Sequence, residues 1–153
     1  MKTLLVAPLG LSPGSLATAV ATQLPDALLV IGSEQSLLKL PEIKENCLLV
    51  PDTDKVISFT LSNPFSGFTE GRKLAKKVVD RICKEFFYKE WNYVVCLTGG
   101  TTALQDCVSA ISQLLPTIPK EIAVIDKRSV DEQRKNPYVI GEFVEIPRIE
   151  DLF

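Results

Sequence analysis

The amino-acid sequence predicts an α/β protein with a Rossmann-like, doubly wound and mainly parallel sheet that carries helices on both faces. Two patterns predict this class. Five short, almost continuously apolar runs recur along the 153-residue chain, as expected of parallel strands covered on both faces. Segments with helical periodicity lie between them, and such alternation is typical of an open, doubly wound sheet. No repeat, low-complexity tract or linker interrupts the pattern, so residues 1–153 are expected to form one domain.

The individual elements follow from the same two patterns. The predicted strands cover residues 3–7 (TLLVA), 27–31 (ALLVI), 47–50 (CLLV), 93–97 (YVVCL) and 122–125 (IAVI). The predicted helices cover residues 14–23, 33–40, 67–89 and 101–115. The second of these helices has the weakest pattern, and the third has the clearest apolar stripe. Residues 138–146 (YVIGEFVEI) alternate more, which favours a late edge strand.

Composition limits the possible functions. The formal net charge of −2 argues against a general duplex-DNA binder, because such domains are normally basic. The apolar run at the N-terminus is too short for a signal peptide, and no stretch reaches transmembrane length. A cytoplasmic protein without a membrane partner is therefore expected.

The chain contains no histidine, and its four cysteines are widely spaced without a C-x-x-C pair. No zinc site, other metal or cofactor is therefore expected, and the cysteines are interpreted as reduced core thiols. The absence of histidine also removes Ser–His and Cys–His nucleophile designs and the usual general base near neutral pH. Any chemistry must proceed without an imidazole.

Two loops rich in glycine and hydroxyl groups are expected to meet. PLGLSPGS follows the first strand at residues 8–15, and TGGTT follows the fourth at residues 98–102. In the common strand order 3-2-1-4-5 they are neighbours at the carboxyl edge, where such sheets bind ligands. Glycines, helix N-termini and hydroxyls together suit a phosphate group. Ordinary turns and helix caps are the alternative interpretation, and neither loop matches a P-loop or GxGxxG.

A basic segment after the last buried strand offers the cations that an anionic ligand requires. It reads DKRSVDEQRKNPYVIGE over residues 126–142, with Lys127, Arg128, Gln133, Arg134 and Lys135. Because it begins at the carboxyl end of a strand, Lys127 and Arg128 are expected near the same rim as the two loops. A solvated loop with scattered ion pairs is the alternative.

Together, the three segments resemble the CARF (CRISPR-associated Rossmann fold) family, over nearly the whole chain. PLGLSPG is similar to the family's PLGTSPG, TGGTT to its TGGTK, and the basic segment to a D-R-x(4)-EQ-x(3)-P-x-V-x-GE pattern. The resemblance implies a homodimer that binds a cyclic oligoadenylate across its twofold axis. The expected ligand-binding residues are Leu9, Gly10, Leu11, Ser12, Pro13, Gly14, Thr98, Gly99, Gly100, Thr101, Thr102, Gln133 and Arg134.

A CARF domain without a fused effector looks most like a ring nuclease, which cleaves the cyclic messenger and switches off type III CRISPR signalling. The expected mechanism is metal-independent attack by the ligand's own ribose 2′-OH on cyclic tetra-adenylate, which leaves a 2′,3′-cyclic phosphate. Ser12, Lys127 and Arg128 are the expected catalytic residues. Thr102 stands where the family often has lysine, so a needed cation must come from the basic segment.

Two alternatives to a ring nuclease remain open. A CARF protein could sense or sequester the messenger without cutting it, which the threonine at position 102 favours. An unrelated α/β enzyme could act on a nucleotide or a phosphorylated metabolite.

Overall fold

The computed structural model describes residues 1–47 and 55–153. Within them a six-stranded sheet has the order β3-β2-β1-β4-β5-β6. The strands are β1 (Lys2–Leu9), β2 (Ala27–Gly32), β3 (Val56–Thr60), β4 (Trp91–Cys96), β5 (Lys120–Ile125) and β6 (Glu142–Glu145). Strands β1 to β5 run parallel, and β6 pairs antiparallel with β5 at one edge. The Rossmann-like class predicted from the sequence is confirmed.

Helices cover both faces of this sheet. They are α1 (Gly14–Gln23), α2 (Glu34–Leu37), α3 (Leu40–Asn46), α4 (Phe68–Glu85), α5 (Thr102–Leu114) and α6 (Val130–Lys135), followed by a 3₁₀ turn (Ile149–Leu152). None of the helices in residues 1–47 and 55–153 combines the length and hydrophobicity needed to cross a bilayer.

The core has two layers because the central strands are buried on both faces. Along β1, Leu4 and Val6 point to the layer formed with α4 and α5, whereas Leu5 and Ala7 point to the layer formed with α1 and α3. This alternation on one strand explains why the run is apolar at every position, as parallel strands of this class are.

The helix predicted over residues 33–40 is instead split between α2 and α3. Ser33 and Ser36 cap each other's backbone at the start of α2, which ends at Leu37. Pro41 then lies in the first turn of α3, a position where its missing N–H group has no effect, whereas inside a continuous helix it would remove a hydrogen bond.

The third strand of the sheet is not the predicted one. Residues 48–50 of the predicted strand 47–50 lie outside the described residues, and Cys47 ends α3 in an extended conformation. The strand that pairs with β2 on the side away from β1 is β3. Ser58 and Thr60 of β3 are exposed, and none of its residues is fully buried. The late edge strand predicted over 138–146 is confirmed in shorter form as β6.

Candidate functional site

The loops that follow β1 and β4 are in backbone contact at the carboxyl edge, as the strand order predicts. A Cβ atom added to Gly10 would lie 2.8 Å from the Cα atom of Gly100 and 2.9 Å from its backbone nitrogen. Gly99 and Gly100 have φ angles of +113° and +72°, a region that side chains disfavour. Glycine is therefore required where the two loops touch.

A groove of about 530 Å³ opens beside this contact, within the size range of small-molecule sites. Backbone, hydroxyl and exposed apolar groups share its walls. The lining residues are Gly10, Leu11, Ser12, Ser15, Ser33, Glu34, Gln35, Ser62, Pro64, Phe65, Gly99, Gly100, Thr101 and Leu104. A larger cavity of about 960 Å³ lies between the end of α5, β5 and residues 145–151, and it includes none of the site residues predicted from the sequence.

A smaller polar cleft of about 160 Å³ adjoins the groove, and Ser12 and Ser15 line both. Its other walls come from α1, the loop after β4 and the basic segment. They are Gly14, Thr18, Thr98, Val124, Asp126, Arg128, Gln133 and Pro137. The hydroxyl of buried Thr18 accepts a hydrogen bond from the Gly141 N–H at 3.1 Å, which ties α1 to the segment leading into β6.

The N-terminus of α1 lies at the junction of groove and cleft without a side-chain cap. Pro13 occupies the N-cap position, and no side chain hydrogen-bonds to the helix start there. Helix N-termini present N–H groups that bind anions well, and here Gly14 and Ser15 stand at that position in the cavity wall. Ser12 is exposed, so its hydroxyl is open to a ligand.

Two threonines brace the loop after β4. The Thr98 hydroxyl accepts from the Val124 N–H at 2.9 Å. The Thr101 hydroxyl accepts from the Leu104 N–H at 3.3 Å as the N-cap of α5, and it donates to the Pro64 carbonyl. Thr101 therefore acts as an ordinary helix cap, which was the alternative to a phosphate-binding role. Thr102 is exposed and lines neither the groove nor the cleft.

Arg128 is bound to a carboxylate of its own segment. Its Nε and Nη2 atoms donate to Asp126 at 3.0 and 2.8 Å, and its Nη1 atom donates to the Asn136 carbonyl at 2.9 Å. This pairing lowers the pKa of Asp126 and raises that of Arg128. Gln133 Nε2 donates to the carbonyls of Asp126 and Arg128 at 3.3 and 2.9 Å. Arg128 and Gln133 thus hold the 126–136 segment in shape.

The other predicted cations lie outside the groove and the cleft. Lys127 reaches Glu142 at 3.5 Å in an exposed ion pair, and Arg134 and Lys135 are exposed at the end of α6. None of the three lines the groove or the cleft. Leu9, at the end of β1, is buried and supports the first loop from below.

The sequence interpretation missed part of the lining. Ser33 directly follows β2, and Ser62 and Phe65 follow β3, so all three reach the groove from strands on the far side of β1. A polar residue directly after a buried strand was the available signal for Ser33. Ser62 and Phe65 carried no such signal, because β3 itself was not recognised.

Replacing Arg128 by alanine is expected to loosen the wall of the cleft and to weaken binding of an anionic ligand about tenfold. Arg128→Lys keeps the charge but loses the two-pronged contact with Asp126, so it is expected to bind almost as poorly. Because pairing lowers the pKa of Asp126, the stabilisation is present at neutral pH and disappears as pH falls through that lowered value.

Thermal melting and ligand titration measure the two effects of the Arg128 variants. Arg148→Ala removes an exposed arginine that pairs with Glu150 and lines neither the groove nor the cleft, and it serves as the control. An affinity equal to that of the unmodified protein in Arg128→Ala would place the ligand away from the cleft.

Comparison with known proteins found proteins that are similar in fold, at low sequence identity. No family model and no curated protein sequence matches the chain. Its structure is similar to Enterococcus italicus Csm6 bound to cyclic hexa-2′-fluoro-hexa-dAMP, with a TM-score of 0.71 and 12% identity over 99% of this chain and 42% of that chain. It is also similar to Can2 from Sulfobacillus thermosulfidooxidans in complex with cyclic tetra-adenylate, with a TM-score of 0.61 and 15% identity over 80% of this chain and 32% of that chain. This chain thus spans less than half of either protein.

Proposed function

We propose that this chain binds a cyclic oligoadenylate, with cyclic tetra-adenylate as the first candidate, in the groove and cleft at the carboxyl edge. The observation that carries the proposal is the backbone contact between Gly10 and Gly100. It places the first loop, the uncapped start of α1 and the TGGTT loop around one cavity. Csm6 and Can2, which share the fold, were both solved with cyclic adenylate-type ligands, and the three CARF-like segments support the same ligand class.

The polar groups of the site suit a phosphodiester ring. Backbone N–H groups and hydroxyls bind phosphate oxygens without a formal charge, which fits a chain whose net charge is −2. The Arg128 guanidinium also lines the cleft, where the Asp126 carboxylate balances its charge, so most of the attraction for phosphate comes from these uncharged donors. The apolar side chains of Leu11 and Phe65 in the same groove supply surface for the bases.

A homodimer is part of this proposal. Two copies of one groove related by a twofold axis match a ring with an even number of nucleotides. Analytical ultracentrifugation at micromolar concentration is expected to give a dimer, with or without cyclic tetra-adenylate. A monomer under both conditions would contradict a site shared between two subunits.

We infer further that the bound ring is cleaved by its own ribose. The 2′-oxygen attacks the adjacent phosphorus, the P–O5′ bond breaks, and a 2′,3′-cyclic phosphate and a 5′-OH result. The 2′-OH proton passes to water, and the departing 5′-oxygen takes a proton from water. Holding the 2′-OH in line is worth about 7–11 kcal/mol, and a hydroxyl at Ser12 that donates to the phosphoryl oxygen adds more. Neither contribution requires an imidazole.

Binding without cleavage is the second candidate, and one observation favours it. Among the residues lining the groove and cleft, the one cation is Arg128, which is already paired with Asp126. A ring held there has little further positive charge available for the developing phosphorane. In that case the chain senses or sequesters the messenger.

Incubation with cyclic tri-, tetra- and hexa-adenylate, followed by chromatography, decides between these candidates. We expect cyclic tetra-adenylate to become linear products with 2′,3′-cyclic phosphate ends, at the same rate with and without EDTA. Tight binding of a ring that stays intact would support the sensor. Failure to bind any of the three rings would overturn the proposed function and leave an α/β protein acting on another phosphorylated ligand.

A further inference from the structure

The loop that follows β3 is a braced turn at the rim of the groove. It reads LSNPFSG over residues 61–67. The side-chain oxygen of Asn63 accepts a hydrogen bond from the Ser66 N–H at 3.1 Å. The backbone carbonyl of Asn63 accepts one from the Gly67 N–H at 2.9 Å. A Cβ atom at Gly67 would overlap that carbonyl, so the turn requires glycine there.

This turn is also attached to its neighbours. The Pro64 carbonyl accepts a hydrogen bond from the Thr101 hydroxyl, which belongs to the TGGTT loop, and the Ser62 N–H donates to the Glu70 carboxylate in α4. Leu61, at the start of the turn, is buried. The turn is therefore held by α4 on one side and by the TGGTT loop on the other.

The side chain that this turn presents is an unpartnered aromatic ring. Phe65 is 81% exposed and lines the groove. In residues 1–47 and 55–153, the close ring pairs are Phe86 with Trp91 and Phe87 with Tyr88, and Phe65 belongs to neither. An apolar ring held in water on a rigid turn gains free energy when a flat apolar surface covers it.

We propose that Phe65 is the stacking platform for a purine base of the ligand, an inference that rests on the proposed function. A nucleotide needs an apolar surface for the base and hydrogen-bond donors for the phosphate, one ribose apart. Phe65 and the Gly99–Thr101 backbone both line the groove, and the hydrogen bond from Thr101 to the Pro64 carbonyl joins the loops that carry them. A purine covers more of such a ring than a pyrimidine does, because its flat surface is larger.

Titration with cyclic tetra-adenylate tests this role in five variants. Phe65→Ala is expected to lose about tenfold or more in affinity, and so is Phe65→Leu, which stays apolar but lacks the flat ring. Phe65→Tyr and Phe65→Trp keep a ring and are expected to stay within about threefold of the unmodified protein. Phe153→Ala removes a fully exposed phenylalanine away from the groove and should change nothing.

Indole fluorescence in Phe65→Trp provides a second readout. A purine stacked on the new indole is expected to quench its emission as cyclic tetra-adenylate is added. The single native tryptophan, Trp91, begins β4 beside Lys2 at the opposite, amino edge of the sheet, so the unmodified protein supplies the background. Because the Phe65 ring is exposed, thermal melting should be unchanged in all Phe65 variants.

The outcomes separate this inference from the function on which it rests. If the unmodified protein binds the ring and Phe65→Ala or Phe65→Leu binds it equally well, stacking on Phe65 is overturned and the proposed function stands. If the indole of Phe65→Trp is not quenched at saturating cyclic tetra-adenylate, stacking at this position is likewise overturned. If the unmodified protein binds no cyclic oligoadenylate, the proposed function is overturned first, and the inference falls with it.

Discussion

Gly10→Ala is expected to reduce the affinity for cyclic tetra-adenylate about 100-fold while the sheet remains folded. The added Cβ atom would lie 2.8 Å from the Cα atom of Gly100, and that atom belongs to the backbone, which has no alternative rotamer. The loops after β1 and β4 must therefore move apart. Donors displaced by about 1 Å no longer form their hydrogen bonds, and the loss of two hydrogen bonds to a charged phosphate, each worth about 1.5 kcal/mol, lowers the affinity on the order of 100-fold.

The same substitution elsewhere controls for a general effect of the extra methyl group. In Gly71→Ala, within α4, the new Cβ atom meets the side chains of Cys107 at 3.3 Å and Leu61 at 3.6 Å, and Gly71 lines neither the groove nor the cleft. Its affinity should match that of the unmodified protein. Calorimetric titration measures affinity, and circular dichroism checks the fold. Full affinity in Gly10→Ala would mean that the contact between the two loops does not shape the site.

Ser12→Ala is expected to slow cleavage by about 100-fold while changing ligand affinity less than about threefold. Ser12 lines both the groove and the cleft, next to the uncapped start of α1. A hydroxyl that donates to a phosphoryl oxygen gains strength as charge develops in the transition state. The ground-state complex keeps the helix N–H groups and the TGGTT backbone, so the loss falls on the rate.

Single-turnover measurements at saturating ligand isolate the effect of Ser12 on the rate. Ser12→Thr keeps the hydroxyl and should recover much of the activity lost in Ser12→Ala. Because α1 has no side-chain cap, neither variant is expected to lower the melting temperature, which a capping role would do. A rate within about twofold of the unmodified protein in Ser12→Ala would remove Ser12 from the mechanism.

Sequence patterns predicted the central part of the fold because that part is buried on both faces. Strands β1, β2 and β4 contain runs of buried apolar residues, and burial on both faces leaves few other interpretations for such a run. Strand β5 was predicted from its apolar run at residues 122–125, in which Ile122 is buried and the others are half-buried. Strand β3 was missed because it lies at the edge, with Ser58 and Thr60 exposed, and its pattern is too weak beside the stronger run at 47–50. The meeting of the two glycine-rich loops followed from strand order alone.

The arrangement of the basic segment was not predictable from the same patterns. Helix α6 has no buried residue, so hydrophobic periodicity could not reveal it. Its position depends on particular hydrogen bonds, from Arg128 to Asp126 and from Gln133 to two carbonyls. Composition indicates where cations occur in the chain, but it does not show which of them are bound by a neighbouring carboxylate. Phe65 was missed for a related reason, since no periodicity describes a loop.

The hydrogen bond between Thr18 and the Gly141 N–H joins residues 123 positions apart, and this separation has a consequence during protein synthesis. The first wall of the cleft, α1, leaves the ribosome well before the 126–142 segment, which forms the opposite wall. Until then, α1 lacks its partner for Thr18, and β5 lacks β6. We therefore expect nascent chains to gain binding competence only once the 126–142 segment has emerged, so that shorter nascent chains do not compete for the ligand.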